Sequence, residues 1–65
     1  MLKLNTHAFK LEKARKEYTT IRLAKESGVS IPAINRAMKD GKVQDVTAGK
    51  LARALGVDVS EIVTL

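Results

Sequence analysis

Between Thr20 and Lys39 the chain reads TIRLAKESGVSIPAINRAMK, two short amphipathic segments joined by Ser27-Gly28-Val29-Ser30. Two helices that meet through a tight turn need a small residue where their backbones approach, and Ala24 supplies it. Four positions later they need a residue that tolerates a left-handed backbone, which is Gly28. Six further on, a branched apolar side chain must pin the second helix to the first, which is Ile34. Leu23, Val29 and Ala37 complete the wedge. Each of these is common alone, but the set in register is specific. It predicts two helices crossing at a steep angle, and it leaves the other residues to build a small core around them.

The chain has 65 residues, which allows a single domain over residues 1–65. It has no cysteine, so disulfide staples and thiolate metal sites are excluded. With 45% hydrophobic residues it has enough apolar material to be globular. No apolar run reaches the length of a membrane span and no signal-peptide pattern opens the chain, so a soluble, cytoplasmic protein is expected. Residues 1–5 alternate apolar and polar, a run too short to be read as a strand.

A first helix is expected from a cap at Asn5 or Thr6 to about Glu17, with Leu11, Ala14 and Tyr18 as its core stripe and Phe9 at an edge of the core or against the C-terminal segment. His7 reads as a capping or edge residue, since no second metal ligand sits near it. Thr19 caps a second helix from Thr20 to Ser27, and Gly28 ends it. Ser30 caps the third, with Pro32 in its first turn and Ile34, Ala37 and Met38 on its inner face. Asp40-Gly41 closes it as a turn, and Lys42 to Val46 is a connection or extended piece. Asp45 or Thr47 caps a fourth helix to about Leu55, with Ala48, Leu51, Ala52 and Leu55 inside. After Gly56, Asp58 and Glu61 form a capping box for a short fifth helix carrying Val59, Ile62, Val63 and Leu65. The expected fold is all-α, a compact five-helix domain.

The net charge of +5 is unevenly spread. Residues 1–42 carry ten Lys/Arg against Glu12, Glu17, Glu26 and Asp40, a net of +6; residues 43–65 carry Lys50 and Arg53 against Asp45, Asp58 and Glu61, a net of −1. A basic front and a near-neutral back suit a protein that lays one face on a polyanion. A membrane surface is the rival polyanion, but no long basic amphipathic helix with aromatic anchors is present.

The residues Leu23-Ala24-Lys25, Ser27-Gly28-Val29-Ser30, Ile34 with Arg36, and Leu51-Ala52-Arg53-Ala54-Leu55-Gly56-Val57 resemble the phage-repressor and Cro-like helix-turn-helix family, the XRE family. The resemblance covers about residues 8–64. It implies a lambda-repressor-like DNA-binding fold of five helices, often dimeric, reading a partly palindromic operator. In outline the chain is similar to stand-alone regulators carried by prophages and mobile elements. It departs from the family at Thr20, where a Gln is common, at Met38, in a region where a Glu is common, and in a following turn one residue longer through Asp40.

In such a motif the second of the two helices enters the major groove and reads bases from its N-terminal end and outer face. Asn35 can pair bidentately with adenine and Arg36 with guanine, while Ile31, Pro32 and Ala33 can pack on thymine methyls. The expected base-contacting set is therefore Ile31, Pro32, Asn35 and Arg36. Phosphates are expected at Thr19, Thr20 and Ser30, which stand at helix starts, and at Lys39, Lys42 and Thr47 across the groove. Arg36 has an alternative role as an ion-pair partner of Glu26 or Asp40, and Asn35 as an ordinary exposed helix residue. The apolar end Ile62-Val63-Thr64-Leu65 reads either as a dimer surface or as closure of the monomer core.

A sequence-specific regulator of transcription acting on double-stranded DNA, repressor-like and homodimeric, is the expected function. The alternative is a protein-interaction module, such as an antitoxin or adaptor, that keeps the fold. An enzyme is not expected, because no paired carboxylates and no Ser/His or Cys/His set is present. No cofactor, metal or membrane partner is expected.

Overall fold

The computed structural model describes residues 1–64. Its elements are β1 (Leu2–Leu4), α1 (Thr6–Arg15), α2 (Thr20–Ser27), α3 (Ile31–Asp40), β2 (Lys42–Val43), α4 (Asp45–Leu55), a single 3-10 turn (Val59–Glu61) and β3 (Val63–Thr64). The expected five-helix, all-α fold is corrected to four α-helices and a small antiparallel sheet in the order β2-β1-β3.

The sheet replaces two expectations at once. The short alternating run at the start is the central strand, and the fifth helix shrinks to the 3-10 turn before β3. Leu2 pairs with Val43, and Leu4 pairs with Val63. The physical reason is that β1 finds partners on both sides. The Leu4 N–H donates to the Gly41 carbonyl at 2.9 Å, and the Asn5 N–H to the Ile62 carbonyl at 2.8 Å. Val63 and Thr64, which form β3, are β-branched, and pairing rewards the extended backbone that such residues favour. The side chains of Ile62 and Val63 are buried, so they close the monomer core and are not a free dimer surface. Leu65, assigned to the same expected surface, lies outside the described residues.

Helix α1 docks differently from its expected stripe. Leu11 is 57% exposed and Ala14 is exposed, whereas Phe9 is 1% exposed and anchors the helix. The positions one turn beyond Phe9 are Glu12 and Lys13, so α1 has no second apolar residue on its inner face and the sequence offers a false stripe instead. Asn5 caps the helix, its Oδ1 accepting from the Ala8 N–H at 3.0 Å. His7 is exposed. The helix stops at Arg15, short of Glu17, and Arg15 donates from Nη2 to the Leu55 carbonyl at 2.9 Å. That bond ties α1 to the C-terminus of α4, where a cation meets carbonyls left without helical partners.

The α2–α3 unit forms as its local signals demand. Thr19 Oγ1 accepts from the Arg22 N–H at 3.0 Å, and Ser30 Oγ accepts from the Ala33 N–H at 3.3 Å. Gly28 ends α2 at φ +76°, a left-handed conformation costly for any residue with a Cβ. Leu23, Val29, Ile34 and Ala37 are buried together, and α4 packs across α2 through Ala48, Leu51, Ala52 and Leu55. Asp40 is the last residue of α3, so the extra residue lengthens the helix rather than the turn. The cap of α4 is Gln44, not Asp45 or Thr47, and it makes no side-chain capping bond; Asp45 lies in the first turn, where its charge favours the helix dipole.

The capping box forms around the 3-10 turn. Asp58 Oδ1 accepts from the Ser60 N–H at 2.9 Å and its hydroxyl at 2.8 Å, and Glu61 Oε2 accepts from the Asp58 N–H at 3.1 Å. The bonds from the Ser60 backbone and side chain hold the Asp58 carboxyl below its ordinary pKa of 3.8. A lowered carboxyl pKa stabilises the fold above the unfolded value and loses that contribution as pH falls through the folded one. Asp58→Ala should therefore lower the melting temperature at neutral pH, and its deficit should narrow in acid below the ordinary carboxyl value.

Candidate nucleic-acid interface

The outer face of α3 is a short row of exposed side chains without internal partners. Ile31 is 37% exposed, and Pro32, Asn35, Arg36 and Lys39 are exposed. Among the described residues, Asn35 and Arg36 make no side-chain hydrogen bond or ion pair; the ion pairs present are Arg15–Glu12 and Arg22–Glu26. Glu26 is taken by Arg22, with Nε to Oε2 at 3.0 Å, and Asp40 does not engage Arg36. Inside, Ile34 and Ala37 fix the rotation of the helix, and half-buried Met38 packs against the core. The same packing that buries Ile34 turns Asn35 and Arg36 outward.

A cleft of about 250 Å³ runs beside this row, lined by Ala33, Arg36, Ala37, Lys42, Val43, Gln44, Thr47 and Met1. It brings Arg36, Lys42 and Thr47 to one place. Thr19, Thr20 and Ser30 do not line it; they stand at the starts of α2 and α3, where the first turns leave N–H groups without helical partners. Ser30 and Thr19 spend their oxygens on their own caps, and each hydroxyl retains a proton that it can donate outward. Lys39 stands on the far side, in a cavity shared with Lys42.

The sequence did not reveal where four contributors sit. Lys13 donates from Nζ to Thr20 Oγ1 at 2.9 Å, so a lysine of α1 supplies a positive charge at the start of α2. No periodicity links positions seven apart across a turn. Tyr18 lies under two cations, Lys16 Nζ at 5.7 Å and the Arg22 guanidinium at 5.5 Å from the ring centre, which helps hold Arg22 beside the same helix start. Gln44 lines the Arg36 cleft as the residue before α4, a place a cap search could have flagged. Met1 enters it through the β1–β2 pairing, which has no local signal.

These positions form a known arrangement: two capped helices joined at a left-handed glycine, the second presenting an unpaired polar row. The pattern of the helix-turn-helix family matches residues 11–62. The chain belongs to the helix-turn-helix family, in its Cro- and repressor-type branch. No curated protein and no solved structure matches it. A DNA-binding regulator is the class to which this helix-turn-helix domain belongs. The matched span takes in the whole α2–α3 unit and α4, and leaves β1 outside. Among the described residues, no helix is long and apolar enough to cross a membrane.

Proposed function

We propose that this helix-turn-helix protein is a sequence-specific regulator of transcription, a repressor, that reads the major groove of double-stranded DNA with α3. The observation that carries this reading is the pair Asn35 and Arg36, exposed and unpartnered on a helix whose other face is locked into the core. Asn35 can donate to and accept from adenine, and the Arg36 guanidinium can donate twice to guanine N7 and O6. Ile31 and Pro32 pack on thymine methyls at the entering end. Thr19, Thr20 and Ser30 hold phosphates through hydroxyls and helix-start N–H groups, with Lys13 adding charge beside Thr20. Lys39, Lys42 and Thr47 hold the opposite strand. Occupying a promoter is enough to exclude polymerase, so repression needs no surface beyond this face, and such a protein works in the cytoplasm on the nucleoid.

One domain of this kind buries only about 600–1,000 Å² on DNA, less than tight specific binding uses. A homodimer on half-sites about 34 Å apart supplies the rest. The domain measures 26 × 21 × 18 Å, so two copies fit side by side at that spacing. Ile62 and Val63 are buried in the monomer, so the dimer contact belongs to another surface.

Selection of bound sequences from a random DNA pool tests the proposal. A partly palindromic motif with two half-sites is the expected product. No enrichment at low salt would overturn it in favour of a protein-interaction module, an antitoxin or adaptor, for which the exposed Ile31-Pro32 end would be the docking point.

A further inference from the structure

The β1–β2 register sets Lys3 directly opposite Lys42. Residues directly opposed in an antiparallel pair project from the same face of the sheet. Leu4 and Val43 are buried while Lys3 and Lys42 are exposed, so the two lysines stand together on the outer face. The other cross-strand neighbour of Lys3 is Thr64, which is uncharged. Like charges so placed oppose folding. Among the described residues no carboxylate forms an ion pair with either lysine.

Lys3 and Lys42 also line an open cavity of about 780 Å³ with Lys39 and Asp40. Lys42 lines the Arg36 cleft as well. A basic surface therefore runs from the base-reading row of α3 through Lys42 to Lys3 and Lys39, with Asp40 as the acid within it.

We propose that Lys3, together with Lys42 and Lys39, forms a phosphate clamp that extends the DNA interface onto the β1–β2 ribbon. The inference rests on α3 being the reading helix. The major groove is about 12 Å wide, so a backbone strand passes close on each side of a helix seated in it. The ribbon is continuous with α3 through Gly41, and its Lys42 lines the same cleft as Arg36, so it lies beside the reading helix. The phosphates supply negative charge to a lysine pair that, among the described residues, has no ion-pair partner. β1 lies outside the span matched by the family.

The test is a salt series of binding to a mixed-sequence duplex, read by fluorescence anisotropy, for the full chain, Lys3→Gln and Lys50→Gln. Each phosphate contact contributes about 0.9 to the slope of log affinity against log salt. Lys3→Gln should lower that slope by about one and weaken binding roughly fivefold near physiological salt. Lys50→Gln, on α4 away from the ribbon, should leave the slope unchanged. The free Lys3→Gln protein should melt no lower than the parent, because the variant removes a like-charge pair. A steep parental slope that Lys3→Gln fails to lower overturns the clamp and leaves the DNA reading intact. A parent that binds no duplex at low salt overturns both.

Discussion

Phe9→Ala is expected to lower the free energy of unfolding by about 3–5 kcal/mol, the usual cost of deleting a buried aromatic ring. Phe9 is 1% exposed and is the anchor of α1 on the core. At roughly 0.05–0.15 kcal/mol per residue, a chain of 65 residues has only about 3–10 kcal/mol in total. The variant should therefore be largely unfolded, or fold only at reduced temperature. Leu11→Ala, two residues away on the same helix and 57% exposed, should change stability by no more than about 0.5 kcal/mol. Urea denaturation followed by circular dichroism measures both. Equal losses at the two sites would restore the Leu11 stripe and contradict the docking of α1 described above.

Arg36→Ala should cost about 1–3 kcal/mol of discrimination between the selected site and one altered at the matching base pair. At about 1.4 kcal/mol per decade of affinity, preference falls by roughly 5- to 150-fold. Its side chain holds no internal partner, so its removal should leave the melting temperature nearly unchanged and separate recognition from folding. Lys42→Ala should act differently: all sequences weaken by a similar factor and the salt slope falls by about one. Competition titrations with matched and altered duplexes distinguish the two patterns. Operator preference that survives Asn35→Ala combined with Arg36→Ala would show that α3 is not the reading helix.

The two residue sets behind these predictions differ in how they could be read. Thr19, Gly28 and Ser30 act within three or four positions of the groups they satisfy, so a linear sequence displays both partners. The burial of Ile34 and Ala37 follows from helical period, and so does the outward row of Asn35, Arg36 and Lys39. In α1 the same reasoning fails. Leu11, Ala14 and Tyr18 keep helical spacing, but only Tyr18, beyond the end of the helix, packs against the core; Leu11 and Ala14 face outward, and Phe9 is the buried anchor. Periodicity ranks faces by apolar count, and it cannot see which face has a partner.

The partners of β1 were beyond reach for a further reason. A strand of three residues and two strands of two have almost no intrinsic signal, and they form only because Gly41 and Ile62 bring carbonyls within reach of β1. That pairing also sets Lys3 against Lys42 and puts Met1 into the Arg36 cleft.

Local chemistry alone thus determined the α2–turn–α3 unit, the caps of its helices, the inner face of α4 and the side of α3 that faces outward. Each rests on interactions that close within about one helical turn. The tertiary structure decided the sheet, the anchoring of α1 by Phe9, the burial of Ile62 and Val63, and the lysine ribbon beside α3. These depend on pairings between distant segments, whose strength is set by the shape of the assembled core and by backbone groups that must find partners once buried there.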